Sequence, residues 1–190
     1  FANALDRLRN AVANTTEVGD GGMDIAYAAY VLARNGRPVM GDLRYLVDTK
    51  LAAFATPLAR GQIAAALALL GDRGRAAKAF ASALAGFREA ASTTSAYRPD
   101  YGSRLRDSAG LLALAAETGL ARDSVQPLGA IIAAERAAGR PTSTQEEAWM
   151  VLAAVEREGW RGVGLDMQRP ALETARRRVR GALLRSGRAA

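Results

Sequence analysis

Apolar residues recur every three or four positions along most of the chain, which is the spacing of an amphipathic helix. In one early segment Ile25, Ala28, Ala29 and Leu32 fall on a single helical face. Polar breaks rich in Gly, Pro and Ser separate such segments, so the pattern predicts an all-α fold. The predicted helices lie at about 2–13, 23–35, 41–54, 57–70, 73–88, 103–118, 124–138 and from 143 onward.

The same pattern predicts which helix faces are buried. The fourth helix contains IAAALALL, which is apolar on almost every side and typical of a helix buried among others. The clearest single stripe, in the fifth helix, consists of Ala76, Ala79, Phe80, Ala83, Leu84 and Phe87. For the eighth helix, the predicted buried face consists of Ala148, Val151, Leu152 and Val155.

The polar run STQEE at 143–147 permits two interpretations. Two carboxylates, an amide and two hydroxyls could form a chemical site. However, Ser143 followed three residues later by Glu146 is the pattern of a capping box, in which each side chain bonds the other residue's backbone N–H. Glu147 adds negative charge at the positive end of the helix dipole. We therefore interpret the run as the start of a helix.

Short turns join the helices in pairs, and alternate helices begin about 35–45 residues apart. This spacing is typical of stacked helical hairpins, either in an open solenoid or in a closed α/α ring. The chain has no strict repeat motif, which argues against tetratricopeptide or ankyrin repeats. We expect residues 1–160 to form the helical domain and 161–190 to form a basic tail, helical in part.

Composition removes several classes of chemistry. The 190 residues are 49% hydrophobic, much of that alanine, and contain neither Cys nor His. Thiolate nucleophiles, imidazole bases, disulfides and nearly all zinc sites are therefore excluded, and we predict neither metal nor cofactor. The sequence has no stretch of about 18 apolar residues, so we predict no membrane contact. It opens with FANALDRLRN, which we interpret as the interior of a longer protein.

The net charge of +7 comes mostly from the last 30 residues. Residues 161–190 carry eight Arg, including Arg176, Arg177 and Arg178, against Asp166 and Glu173, a balance of +6. The rest of the chain is close to neutral. Because a nucleic-acid site needs basic residues gathered on a folded face, we predict no nucleic-acid partner.

One polar cluster stands out at the end of the longest break and the start of the sixth helix. It consists of Asp100, Tyr101, Arg104, Arg106 and Asp107. These residues could form a site at a helix N-terminus, but we favour a helix cap with local ion pairs, each worth under about 1 kcal/mol when exposed.

Other candidates are weaker. Asp24 and Asp42 could act as the acid and base of an α/α-barrel hydrolase, yet both lie in first helical turns, where carboxylates are favoured anyway. Gly19, Gly21 and Gly22 lack the preceding strand and following Lys of a phosphate loop. Trp149 and Trp160 are more typical of core or boundary anchors than of ligand platforms.

Several segments, taken together and in order, resemble the bacterial alpha-2-macroglobulin family. They are YVLARNGR, GDLRY, TPLA followed by AAALALLGD, DYGSRLRDSAGLLAL, and STQEEAW, and the resemblance covers about residues 1–158. It is closest to the later part of the family's thioester-type helical domain. The basic stretch ALETARRRVRGALLRSGRAA departs from the family, in which a β-sandwich is expected at this point.

The resemblance implies an α/α toroid within a periplasmic, usually lipid-anchored protein that collapses around a protease after a bait region is cut. The family's thioester requires a Cys-x-Glu-Gln motif, which lies upstream of the matched part. This chain has no Cys, so no thioester residue is assigned here. The implied partners are target proteases, through the full-length protein, and neighbouring domains of the same chain.

We therefore predict a non-catalytic structural segment of a protease trap. The alternative is a helical-repeat adaptor that binds peptides or proteins on a concave face. An α/α-barrel hydrolase or cyclase is less favoured, because the sequence has no Asp-rich motif. We also predict self-association of the isolated chain through an exposed helical face, unless the tail folds back with Leu172, Val179, Leu183 and Leu184 inward.

Overall fold

The computed structural model describes residues 1–15, 17–37, 39–90 and 100–159. These residues form eight α-helices and three short 3-10 turns and contain no strand. The all-α prediction is therefore confirmed. The helices are α1 (Ala2–Ala13), α2 (Met23–Arg34), α3 (Met40–Thr49), α4 (Pro57–Leu69), α5 (Arg73–Ala90), α6 (Arg104–Thr118), α7 (Val125–Ala137) and α8 (Thr144–Gly159).

The even-numbered helices form a continuous row, in which α2 packs on α4, α4 on α6, and α6 on α8. The others lie against this row: α1 on α2, α5 on α4, and α7 on α6, while α3 contacts α4 and α5. The core runs along the row, and α4 and α6 are buried over most of their length. No described helix meets the length and hydrophobicity needed to cross a membrane.

Close packing of α4 on α6 depends on two glycines. A Cβ on Gly61 of α4 would lie 2.6 Å from Leu111 Cδ2 of α6. Conversely, a Cβ on Gly110 of α6 would lie 2.4 Å from Leu58 Cδ1 of α4. Each helix thus leaves a gap that a leucine of the other helix fills, which brings the two backbones close together.

The start of α2 also requires glycine. Gly22 has φ of 69°, a left-handed conformation that costs little only for glycine. A Cβ there would lie 2.4 Å from Val18 Cγ1 and 2.6 Å from Phe54 Cδ1. Phe54 is fully buried, so the turn before α2 is packed onto the core.

The third helix is shorter than predicted. It ends at Thr49 instead of 54, and a 3-10 turn at Leu51–Ala53 follows. The guanidinium of Arg60 donates to the backbone carbonyls of Phe54, at 2.7 Å, and Ala52, at 3.4 Å. These carbonyls therefore have a side-chain partner where the helix has stopped.

The predicted buried face of α8 is wrong. Ala148, Val151, Leu152 and Val155 are all exposed, and Val155 reaches 59%. The packed side of α8 instead carries Glu146 and Ala153, with the half-buried Trp149 and Met150 beside them. The Glu146 carboxylate can lie on the buried side because Arg140 neutralises its charge and the Ser103 hydroxyl donates a hydrogen bond to it. The predicted tail at 161–190 lies outside the described residues.

Candidate functional site

A groove of about 470 Å³ opens between α2, α4 and α8, beside the start of α6. Its walls include the aromatic side chains of Tyr27, Tyr30 and Trp149. The remaining lining residues are Met23, Arg34, Thr56, Leu58, Ala59, Gln62, Asp100, Arg106, Gln145, Ala148 and Leu152. Its volume falls within the range of small-molecule clefts, about 300–1,000 Å³.

Arg106 lies buried at one side of the groove, and each of its three nitrogens donates a hydrogen bond. Nη2 bonds Asp100 Oδ2 at 2.5 Å and Asp107 Oδ1 at 2.9 Å, and Nε bonds Asp107 Oδ1 at 3.2 Å. Nη1 bonds the Asp100 carbonyl at 2.8 Å and Gln145 Oε1 at 3.3 Å. The guanidinium is therefore neutralised within the fold.

The structure separates the predicted polar cluster into two groups. Asp100, Arg106 and Asp107 form the buried ion cluster, so their ion pairs are not exposed ones. Tyr101 is 77% exposed. Arg104 turns toward α5 and α7, where its guanidinium lies 4.8 Å from the Phe87 ring centre and 3.7 Å from Glu135 Oε1.

At the start of α8, Ser143 and Glu146 exchange hydrogen bonds. The Ser143 N–H donates to Glu146 Oε2 at 2.7 Å, and the Glu146 N–H donates to Ser143 Oγ at 3.3 Å. Two further groups donate to Glu146 Oε1: the Ser103 hydroxyl and Arg140 Nη2, both at 2.5 Å. Ser103 itself caps α6, since its Oγ accepts from the Arg106 N–H at 3.0 Å.

Burial of Glu146 acts to raise its pKa, but its hydrogen bonds act more strongly in the opposite direction. Donation from Arg140, from the Ser103 hydroxyl and from the Ser143 N–H lowers the pKa from 4.5 to about 2. The carboxylate therefore stays ionised at neutral pH. Its role is to join two helix starts, and a proton-transfer role is not supported by this geometry.

A second network joins α2, α6 and α8 at the groove. The Tyr30 hydroxyl donates to Glu117 Oε2 at 2.5 Å, and Arg34 Nε lies 2.9 Å from Glu117 Oε1. Arg34 Nη2 lies 3.8 Å from Glu156 Oε1 of α8. Burial and the bond to Glu117 hold the pKa of Tyr30 well above its usual range. The charges in this part of the groove are thus also paired.

Gln62 was not among the residues predicted from the sequence. This residue is 5% exposed and lies in α4 among apolar neighbours, yet it lines the groove. Its position in the sequence could have indicated a role, because a single amide at the start of the otherwise apolar run QIAAALALL requires a hydrogen-bond partner or a function.

Most of the weaker candidate residues lie in the first turn of a helix or in the turn before one. Asp24 Oδ1 accepts from the Ile25 N–H at 2.8 Å at the start of α2, and Asp42 lies in the first turn of α3. Gly21 and Gly22 belong to the 3-10 turn before α2. Trp149 lines the groove. Trp160 and Arg176–Arg178 lie outside the described residues.

Comparison with known proteins gives consistent similarities. No protein-family model matches the chain. Over 127 residues, or 64% of the chain, it is 36% identical to an alpha-2-macroglobulin of Xylella fastidiosa. Over 130 residues, or 68% of the chain, it is 37% identical to the alpha-2-macroglobulin of Escherichia coli. The chain spans 8% of the length of either relative.

Solved structures show the same similarity. Salmonella alpha-2-macroglobulin reacted with methylamine matches with a TM-score of 0.68 at 30% identity, over 80% of this chain and 10% of that one. Escherichia coli alpha-2-macroglobulin activated by porcine elastase matches with a TM-score of 0.61 at 30% identity, over 80% of this chain and 14% of that one. These similarities support the family resemblance drawn from the sequence motifs.

Proposed function

We propose that this chain is a non-catalytic structural segment of a bacterial protein of the alpha-2-macroglobulin family that traps proteases. The observation that carries the proposal is similarity in both sequence and three-dimensional structure to bacterial alpha-2-macroglobulins. One of those relatives is activated by a protease, porcine elastase. Target proteases and neighbouring domains are the proposed partners of the longer protein, and the periplasm is its proposed location.

The arrangement of ionisable groups supports a scaffold role. Asp100 and Asp107 bond Arg106, and Glu146 bonds Arg140 and two N-cap groups. Glu117 is engaged by Tyr30 and Arg34. Since general acid–base catalysis needs a carboxyl free to exchange a proton with substrate, carboxylates used in this way favour positioning of helices over chemistry. We assign the segment to part of an α/α toroid that carries no thioester residue.

The proposal can be tested in the source organism with an antibody raised against the 190-residue chain. Immunoblots of the cell envelope should reveal a protein far longer than 190 residues. After incubation with elastase, native gels should show this protein in a faster-migrating form that retains the protease. Elastase inactivated at its active serine is the control and should change nothing. A product no longer than this chain, or a long protein indifferent to active elastase, would contradict the proposal.

A helical adaptor that binds peptides is the second candidate, favoured by the open groove with its exposed Tyr27 wall. The two functions differ in their dependence on proteolysis. An adaptor should engage its partner without cleavage of the longer protein, whereas a trap should change only after a protease has cut it.

A further inference from the structure

Gln62 is a buried amide without a hydrogen-bond partner among the described residues. It lies on the second turn of α4, and 5% of its surface is exposed. Every fully enclosed polar side-chain atom of the described residues does have a partner. The Gln62 amide therefore keeps a small contact with solvent, and that contact is through the groove that it lines. An amide so placed has one acceptor and two donor hydrogens to offer.

The charges around the groove limit what this amide can bind. Arg106 is saturated by Asp100, Asp107 and Gln145. Arg34 is paired with Glu117. A charged ligand would have to compete with these internal pairs and would lose water in doing so. Gln62 offers a neutral amide instead, so a neutral ligand fits best.

The walls favour an apolar side chain next to that amide. Tyr27 of α2 is 53% exposed and Leu152 of α8 is 38% exposed, and both line the groove together with Trp149. Aromatic and aliphatic walls bind apolar groups through the area removed from water. The volume of about 470 Å³ is at the lower end for drug-sized ligands, which suits one or two residues of a peptide.

We propose that the groove binds a neutral peptide segment carrying one large apolar side chain, with the Gln62 amide bonded to its backbone. A peptide unit offers one C=O and one N–H, which match the donor and acceptor of a glutamine side chain. The segment comes from another part of the longer polypeptide. This last point rests on the proposed function, whereas the peptide-binding chemistry of the groove does not.

The probe is N-acetyl-leucine N-methylamide, a single residue with a peptide unit on either side. Titrated into the ¹⁵N-labelled 190-residue chain, it should cause saturable NMR shifts of the Gln62 side-chain amide and the Trp149 indole. Gln62→Met, of similar shape, should weaken binding about five- to tenfold, the effect of losing about one hydrogen bond. Gln126→Met, at an exposed site on α7, should bind as the parent does.

A second pair of variants covers the case in which Gln62→Met does not fold. Tyr27→Ala removes an exposed groove wall and should weaken binding, whereas Tyr45→Ala, at a similarly exposed site on α3, should not. N-acetyl-leucine, which carries a carboxylate at pH 7, should bind several-fold more weakly than the neutral probe.

Three outcomes would overturn the peptide site: absence of saturable shifts, equal affinity for the carboxylate, or binding unaffected by both Gln62→Met and Tyr27→Ala. If the probe binds while the immunoblot finds no longer protein, the peptide site stands and the proposed source of the segment is refuted. Failure of the groove and failure of the family assignment are therefore distinguishable.

Discussion

Glu146 couples two helix starts through one carboxylate. Its Oε2 bonds the backbone of Ser143 at the start of α8, and its Oε1 accepts from Ser103, the residue that caps α6. Arg140 supplies the compensating charge. A single side chain thus satisfies donors that would otherwise be left at two helix termini, and it fixes the position of α8 against α6.

Ser143→Ala should lower the free energy of unfolding by about 0.5–2 kcal/mol, because the Glu146 N–H loses its cap. Urea denaturation followed by circular dichroism measures the change. Ser124→Ala is the matched control, since Ser124 precedes α7 without a side-chain cap and should change stability little. Equal effects of the two substitutions would contradict a capping role for Ser143.

Stability should fall in acid partly through Glu146. Its folded pKa of about 2 lies below the usual 4.5, so its stabilising contribution is fully present above about pH 4.5 and is lost as the pH falls through 2. Glu146→Gln should therefore be less stable than the parent at pH 7, and the gap should narrow toward pH 2. Urea midpoints measured across this range test the expectation, and a gap that does not change with pH would refute it.

Local contacts at the residue scale were predictable, and distant ones were not. Ser143 and Glu146 are three residues apart, so the sequence alone suggests their reciprocal bonds. Ser103 and Glu146 are 43 positions apart, and only the packing of α6 on α8 brings them together. The same holds for Gln145 and Arg106, separated by 39 positions.

Helix α8 shows how an element can be recognised while its orientation is mistaken. Its apolar stripe at Leu152 and Val155 is exposed, and its packed side carries Glu146. Periodicity assigns the apolar stripe to the core because it counts a carboxylate as polar. Ion pairing and hydrogen bonds offset the cost of burying the Glu146 carboxylate. Hydrophobic periodicity therefore mispredicts the buried face of a helix when a buried charge has partners.

The contact between α4 and α6 should be sensitive to one methyl group. Gly110→Ala places a Cβ against Leu58 and should destabilise the fold by about 1–3 kcal/mol through overpacking. Gly129→Ala in α7 is the control, because no atom lies within 4 Å of the added Cβ. That substitution should stabilise the helix by about 0.5–1 kcal/mol. Thermal or urea unfolding compares the two, and a neutral Gly110→Ala would refute close packing.

For the molecule as a whole, the apolar side of α8 should promote association of the isolated chain. Exposed apolar patches tend to find partners, so light scattering should show species larger than a monomer. Leu152→Ser combined with Val155→Ser should reduce association, whereas Leu69→Ser, an exposed leucine at the end of α4, should not.

A shortened chain that ends at Arg169 tests the alternative that residues 170–190 cover the apolar side of α8. If the full chain is monomeric and the shorter version associates, the tail covers α8. If both versions are monomeric, the prediction that the apolar side of α8 promotes association is wrong.

The number, order and approximate bounds of the helices follow from periodicity and from Gly and Pro stops. The groove does not, because it arises between helices that are far apart in the chain. Tyr27, Gln62 and Trp149 belong to three different helices and have no spacing in common that a sequence pattern could detect. Closure into an α/α ring remains a prediction.

The position of α4 in the row has a consequence for hydrogen exchange. It packs against α2, α3, α5 and α6, whereas α8 packs on α6 and is solvent-exposed on its apolar side. Opening of the α6–α8 contact and of the Arg34–Glu156 ion pair frees α8 while leaving the α4 contacts intact, so α8 should open before α4. Amide protons of α8 should exchange first in deuterium oxide, and those of Ile63–Leu67 last. Uniform exchange across both helices would instead indicate a single cooperative unit.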